Sequence, residues 1–280
     1  MKDSVYYLAS QIAEKEDQSN KKDKGLPFVD ISADKDVRKV SMEDILEIVC
    51  GGHVKSCGPF NTICEEAGMY QFWTKEYIQY LGDYLLKQTM ARKGGETTIL
   101  DIGAGDGLLI HYLQQYISNK SRRNNLIMPT MVSTDDGSWG IFAKAQVEKL
   151  NVDESLKKYA HTASENHSND NQLIVLCSWM PQSVDWSERF RQYGVDEYIL
   201  IGESDDGSCG DNWKTWGNID FLPSNDVVHP SKQPLPAYQE DGYTRWDMTD
   251  LTPFQFSRFD CSFSRSGKTV SFRKMKQRKE

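Results

Sequence analysis

The hydrophobic pattern of the chain changes its period near residue 95. Before that point, apolar residues recur at helical spacing over residues 70–87, with Tyr70, Trp73 and Tyr77 on one stripe. After it, short unbroken apolar runs alternate with segments of helical period. Strands that are buried on both faces have such unbroken runs, and strands that alternate with helices form parallel sheets. The pattern therefore predicts an α/β protein.

The predicted elements alternate along the second part of the chain. Strands are expected at 97–102, 126–134, 147–150, 173–177 and 198–202, and helices at 108–117, 138–145 and 154–159. Two later strand-like segments, 243–248 and 268–273, have no long helix between them, so we expect them to pair antiparallel. The predicted fold class is a doubly wound, mostly parallel sheet with a C-terminal antiparallel hairpin and an N-terminal helical cap.

Polarity along the chain predicts the domain organisation. Residues 1–40 are largely polar and are expected to form a loosely ordered extension. Residues 41–93 are expected to form the helical cap. Residues 94–280 are expected to form the main domain, with a long insertion over 204–241. A loop of that length inside a compact domain is often functional, so substrate selection is expected there.

The charge balance changes the picture only modestly. Lys and Arg number 33 against 41 Asp and Glu, which gives a net charge of −8. An acidic chain argues against a dedicated nucleic-acid binder, although the basic residues of 265–280 leave that contact open. No stretch reaches the roughly 20 apolar residues that span a bilayer, so no membrane partner is expected. Six scattered cysteines suit a reducing compartment, and a cytoplasmic location is expected, with the nucleus as the alternative.

The most informative segment is the turn after the first predicted strand of the sheet. The strand ends near Asp101, and Gly103, Gly105 and Gly107 turn directly into a helix. Glycines admit turn conformations and let bare backbone approach a ligand, and the helix N-terminus offers unpaired N–H groups. A dinucleotide fingerprint would need a small residue where Leu108 stands. An NAD-linked oxidoreductase is therefore disfavoured.

The alternating glycines, preceded by an acid, resemble the first motif of class I S-adenosylmethionine-dependent methyltransferases. The resemblance covers residues 95–205 and implies a Rossmann-like domain that binds S-adenosyl-L-methionine. That family places an acid at the end of its second strand for the ribose hydroxyls, adenine beside its third strand, and cofactor and substrate at the end of its fourth. The residues that the resemblance assigns to the cofactor are Asp101, Gly103, Gly105, Gly107, Asp135, Asn151 and Ser178.

The sequence after the fourth predicted strand departs from one branch of that family. Methyltransferases that act on base amino groups often have Asp or Asn, two prolines and an aromatic residue at this point, whereas Ser178 is followed here by Trp, Met and Pro. Methylation of a base amine is therefore not supported. A small molecule or a protein is the favoured methyl acceptor.

Candidate acceptor-side residues follow the strand ends and the aromatic segments. Glu203 comes directly after the fifth predicted strand and is the candidate catalytic residue, with a cap of the next turn as the alternative. The neighbouring Asp205 and Asp206 are expected to be solvated loop residues. Aromatic walls exclude water from a site and can hold a cation. The candidate substrate-binding residues are Tyr70, Trp73, Trp179 and Trp213.

Two alternatives remain open from the residues alone. Cys50, His53, Cys57 and Cys64 invite a zinc site, but their spacing is not that of a paired C-x-x-C framework, so idle or buried thiols are favoured. For function, the leading hypothesis is an S-adenosylmethionine-dependent methyltransferase with an unidentified acceptor. The alternative is a catalytically silent protein that binds S-adenosylmethionine and regulates a partner.

Overall fold

A seven-stranded sheet forms the centre of the described chain, which comprises residues 69–91, 95–165, 171–223, 234–260 and 266–275 of the computed structural model. The strands in the described residues are β1 (Gln71–Trp73), β2 (Thr97–Ile102), β3 (Thr130–Asp135), β4 (Glu148–Lys149), β5 (Gln172–Ser178), β6 (Glu197–Glu203), β7 (Tyr243–Asp247), β8 (Gln255–Ser257) and β9 (Gly267–Lys274). Strands β1 and β8 form a separate two-stranded sheet, and the other seven form the central sheet. The helices are α1 (Lys75–Ala91), α2 (Leu108–Asn124), α3 (Val152–Glu165), α4 (Ser187–Gln192) and α5 (Ala237–Glu240).

The strand order across the sheet is β4-β3-β2-β5-β6-β9-β7. From β2 the chain first moves outward through β3 and β4, then returns to the other side of β2 and continues through β5 and β6. Strand β9 is antiparallel to both of its neighbours, and the other neighbouring pairs are parallel. The mostly parallel sheet and the antiparallel C-terminal hairpin are confirmed. The order in which strands are added to the sheet changes direction between β2 and β5, and sheets of this type have their ligand-binding crevice at the carboxyl ends of the strands at such a point.

Helices cover both faces of the sheet. On one face, Leu81 of α1 and Leu113 of α2 pack in one apolar cluster with Ile99 of β2. On the other face, Leu156 of α3 packs in a second cluster with Leu100. Successive residues of a strand point to opposite faces, so β2 needs apolar side chains at consecutive positions. The unbroken apolar runs of the sequence follow from this arrangement, in which helices lie against both faces of the sheet.

The start of the helical cap differs from the prediction. A continuous helix over 70–87 is wrong, because β1 occupies its first turn and pairs antiparallel with β8. Helix α1 begins one residue after Thr74, whose hydroxyl accepts a hydrogen bond from the Tyr77 backbone N–H at 3.2 Å. A threonine in this position caps the helix, and it separates the two elements. Trp73 therefore belongs to a strand and not to the buried stripe of a helix.

The predicted helix over 138–145 is also wrong. This segment has turns and irregular backbone, and Gly137 and Gly140 have φ angles of 75° and 63°. Left-handed residues at the start and inside of the segment are incompatible with a right-handed helix. The extension 1–40 and most of the predicted cap 41–93 precede the described residues. None of the helices in the described ranges is both long enough and apolar enough to cross a membrane.

Candidate functional site

The glycine turn after β2 has the conformation that its sequence predicts. Gly103, Gly105 and Gly107 have φ angles of 70°, 54° and 77°, and α2 begins immediately afterwards. The backbone N–H groups of Gly103 and Ala104 both donate to the Thr134 carbonyl, at 2.9 and 3.0 Å. The left-handed region costs other residues roughly 1–2 kcal/mol each, so glycine is needed here. The turn places this backbone at the crevice beside β2.

Asp101 lies beneath this turn and is buried, with 1% of its surface exposed. Its Oδ1 atom has no hydrogen-bond partner within the described part of the chain. Burial, and after it the negative charges of Asp106 and Asp135, raise the pKa of Asp101 to about 8. A buried carboxyl oxygen without a partner is uncommon in folded proteins and points to a group that the site is built to receive.

Asp135 ends β3 and contacts the glycine turn directly. Its Oδ2 atom accepts a hydrogen bond from the Gly105 N–H at 2.9 Å, and its Oδ1 atom accepts one from the Gly137 N–H at 2.7 Å. Residues 101, 105 and 135 are thus brought together at one edge of the sheet. Asp135 thus lies at the strand end beside the glycine turn. Its contact with a ribose remains a prediction.

A strap, defined as residues 137–147, lies over the glycine turn. The N–H groups of Lys144 and Ala145 donate to the Asp106 carbonyl at 2.8 and 3.1 Å, and the Lys144 ammonium forms an ion pair with the Asp106 carboxylate at 3.2 Å. Ile141 packs near Gly105, where a Cβ would lie 3.4 Å from its Cδ1 atom. The sequence analysis missed Asp106 and Lys144. Asp106 lies between Gly105 and Gly107, and this position in the motif could have marked it as a candidate site residue.

Asn151 follows β4 and caps α3. Its side-chain Oδ1 accepts a hydrogen bond from the Glu154 N–H, and the Glu154 carboxylate accepts one from the Asn151 N–H, both at 3.0 Å. This reciprocal pair is a capping box. The side chain has a structural task at this position, and the predicted contact of Asn151 with adenine stays a prediction.

The carboxyl end of β5 has unusual backbone. Ser178 is the last strand residue, and Trp179 follows it with a φ angle of 58°. The Trp179 N–H donates to the Ile201 carbonyl of β6 at 2.8 Å, and its indole N–H donates to the Gln71 side chain at 3.3 Å. A bulky residue in the left-handed region is an outlier that surrounding contacts must hold. These bonds fix the indole at the edge of the crevice.

Trp179 belongs to an aromatic cluster, defined as Tyr70, Trp139, Trp179 and Phe259. Tyr70 lies 5.8 Å from both Trp139 and Trp179, between ring centroids, and Trp179 lies 5.2 Å from Phe259. The buried Arg258 guanidinium lies 4.0 Å from the Tyr70 ring centroid and 4.6 Å from that of Phe259. These are cation–π distances. The cluster joins the strap, β5 and the β1–β8 ribbon.

Two of the four predicted substrate-binding residues lie in this cluster, and two have other contacts. Trp73 packs against Tyr77, with ring centroids 5.6 Å apart, and contributes to the apolar face under α1. Trp213 lies in the turn after β6, where its backbone N–H donates to the Asp211 side chain at 3.0 Å. The sequence analysis missed Trp139, Arg258 and Phe259, which no periodicity connects to the glycine turn.

The structure gives Glu203 the contacts of the capping alternative. Its Oε2 atom accepts a hydrogen bond from the Ser208 N–H at 3.1 Å, and its Oε1 atom accepts one from the Ser266 hydroxyl at 2.6 Å. The catalytic role of Glu203 stays a prediction. The expectation of a solvated loop is wrong for Asp205, which is half-buried and accepts two hydrogen bonds from Arg245, at 2.6 and 3.1 Å.

Metal binding receives no support from the described residues. Within them, His, Cys, Asp and Glu form no group of three or more that could hold a metal ion. Cys50, His53, Cys57 and Cys64 lie outside the described residues. Cys177 and Cys209 are buried free thiols.

Comparisons with known proteins give distant structural neighbours. No protein-family model matches the chain, and no curated protein matches it. Among solved structures, the chain is similar to the DszA carbon methyltransferase, with 11% identity and a TM-score of 0.33 over 84% of this chain and 61% of that one. It is also similar to the plantazolicin methyltransferase BpumL in complex with SAH, with 11% identity and a TM-score of 0.29 over 88% of this chain and 93% of that one. The chain thus spans about three fifths of DszA.

Proposed function

We propose that this protein is a methyltransferase that binds S-adenosylmethionine in the crevice at the carboxyl ends of β2, β3 and β5. The observation that carries the proposal is the meeting of the left-handed glycine turn, the buried Asp101 and the Asp135 carboxylate at the reversal point of the sheet. A backbone without side chains at the three glycines, with two acids beside it, suits a ligand with a cationic amino acid part and a sugar with free hydroxyls.

The residues present fit that ligand on two observations. Asp101 Oδ1 is buried and lacks a hydrogen-bond partner within the described residues, so it suits a cationic donor. Asp135 is half-buried at the strand end, where its oxygens can exchange backbone N–H donors for hydroxyl donors.

In this proposal, S-adenosylmethionine supplies a methyl group that its sulfonium has already activated for in-line displacement. The protein has to hold the acceptor on the displacement axis and exclude water. Ser178 and Trp179 stand at the end of β5 beside the proposed cofactor crevice, and the aromatic cluster forms the wall beyond them. Trp179 is held through its backbone N–H and its indole N–H, so the proposed contribution of this part of the chain is to position the acceptor. A small molecule or a protein is the proposed acceptor class.

Titration calorimetry with S-adenosylmethionine, S-adenosylhomocysteine and NAD in parallel tests the proposal. We expect micromolar binding of the first two and no binding of NAD. Transfer of labelled methyl from S-adenosylmethionine to fractionated cell extract then identifies the acceptor. Binding without transfer to any fraction would favour the silent sensor over the enzyme. Failure of both adenosyl ligands to bind the folded protein would overturn the proposed function.

Asp135→Ala tests the placement of the ligand in the crevice. Loss of the proposed ribose contact should weaken S-adenosylmethionine binding by about 1–3 kcal/mol, since hydroxyls would lose a charged acceptor. The neighbouring Asp136→Ala removes an exposed acid and should keep wild-type affinity. Thermal unfolding of both variants separates lost binding from lost folding. Equal affinities of Asp135→Ala and wild type would place the ligand elsewhere.

A further inference from the structure

Asp101 is buried among groups that disfavour its negative charge. Two further carboxylates, Asp106 and Asp135, raise its pKa by their charge. The Asp106 carboxylate is paired with Lys144, and the Asp135 carboxylate accepts the backbone N–H groups of Gly105 and Gly137. Lys144 is therefore paired with another acid, and Asp101 Oδ1 has no donor within the described residues.

The neighbouring strands add no compensating charge to this setting. Asp101 is in register with Ser133 of β3, whose hydroxyl is buried and neutral. On β5, the buried Cys177 thiol has its pKa raised well above its ordinary value, by burial first and then by the Asp101 charge, so it stays neutral. Cys209, which interacts with Cys177, has its pKa raised to about 12 by burial. Proton binding is thus the available way to neutralise Asp101 in the described structure.

We propose that Asp101 couples ligand binding to proton release: it is protonated in the free protein and ionises, giving its proton to solvent, when a cationic ligand binds at the glycine turn. This inference rests on the proposed function and specifies how the same site is regulated. The physical reason is charge compensation, because a ligand cation near Asp101 stabilises its ionised form against the burial and the two neighbouring acids. Ligand affinity therefore depends on pH.

The pH dependence of S-adenosylmethionine affinity tests the coupling in the wild-type protein. Between pH 5.5 and 7, the amino group of the ligand, with a pKa of about 8, stays protonated, so the slope in this range reports the protein. We expect the dissociation constant to fall by nearly tenfold per pH unit there, because Asp101 must lose one proton. An affinity that is constant over this range would overturn the inference and leave the proposed function intact.

Calorimetry in buffers of different ionisation enthalpy counts the released protons directly. At pH 7, the wild type should release about 0.9 proton more than Asp101→Asn, since a group of pKa 8 is about nine-tenths protonated there. The ligand amine is already about nine-tenths protonated at pH 7, so proton uptake by the amine lowers the wild-type release by at most about 0.1 proton. Asp136→Asn, which removes an exposed acid, should release as much as wild type.

The outcomes separate the two levels of the proposal. Equal proton release by Asp101→Asn and wild type would overturn the coupling. If Asp101→Asn fails to fold, the wild-type affinity profile between pH 5.5 and 7 still decides. Absence of binding at every pH would instead overturn the proposed function, and the coupling would fall with it.

Discussion

Gly105 sets the shape of the glycine turn and binds the Asp135 carboxylate through its backbone N–H. Its φ angle is 54°, its N–H donates to Asp135, and a Cβ there would lie 3.4 Å from Ile141. Gly103 is more crowded, because a Cβ there would lie 2.9 Å from the Trp186 ring. A substitution at Gly103 therefore disturbs packing as well as the backbone. Gly105 is the better position at which to separate binding from folding.

We expect Gly105→Ala to fold and to bind S-adenosylmethionine at least tenfold more weakly. The added methyl group would occupy space between the turn and the proposed ligand. Gly140→Ala is the matched control: it has the same left-handed strain, with a φ angle of 63°, but its Cβ would meet nothing within 4 Å. Both variants should lose about 1–2 kcal/mol of stability, measured by urea unfolding. Equal losses of affinity in the two variants would mean that strain alone explains the effect.

At the scale of elements, the segment after β6 is tied to the sheet by ion pairs. Asp205 bonds to Arg245 of β7 and lies 3.1 Å from the Lys268 ammonium of β9. Arg245 also donates to the Trp216 carbonyl at 3.0 Å. Burial alone would raise the pKa of Asp205, but its bonds to Arg245 and Lys268 outweigh burial and lower that pKa to about 2. The described start of the predicted insertion is thus anchored to the hairpin.

Asp205→Asn should lower the free energy of unfolding at pH 7 by about 1–2 kcal/mol, discounted for the partial exposure of the side chain. A folded-state pKa below the unfolded value of about 4 stabilises the fold above pH 4, and this stabilisation is lost as pH falls from 4 to 2. Urea unfolding at pH 7, 4 and 2 should show the difference shrink. Asp220→Asn, an exposed acid of the same segment, is the control. Equal stabilities of Asp205→Asn and wild type at pH 7 would contradict the anchor.

For the molecule as a whole, the buried Asp101 lowers the free energy of unfolding above the pKa that it has in the unfolded chain. Asp101 keeps its proton to about pH 8 in the folded protein, whereas an unfolded chain loses it near pH 4. Between these values the unfolded state binds fewer protons, so stability falls as pH rises. The fold therefore carries an energetic cost for a group that the proposed binding site uses, as is common at functional sites.

Asp101→Asn should make the whole protein more stable at pH 7. Relative to this variant, the wild-type free energy of unfolding should fall by about 1.4 kcal/mol per pH unit between pH 5 and 7, since one proton is linked to unfolding. Urea unfolding curves at half-unit pH steps provide the measurement. Asp220→Asn should follow the wild-type slope. Parallel stability profiles for Asp101→Asn and wild type would show that Asp101 is ionised in the folded state.

Features that depend on near neighbours along the chain could be predicted from the sequence. Apolar runs identified strands β2, β5 and β6, because a strand buried on both faces must be apolar at consecutive positions. The glycine turn was readable because three left-handed positions demand glycine locally. Asp135 could be matched because it ends the next strand of a parallel pair, and parallel neighbours bring their carboxyl ends to one edge.

Features that depend on residues far apart in sequence could be read only from the folded protein. Glu203 bonds to Ser266, and Tyr70 meets Arg258 and Phe259, across separations that no periodicity encodes. Trp73 entered a strand because a distant partner, β8, was available to pair with β1. Local preference loses to such contacts because burial and strand pairing contribute more free energy than the helical tendency of a few residues. The glycine motif was therefore readable locally, while the membership of the aromatic cluster depended on the fold.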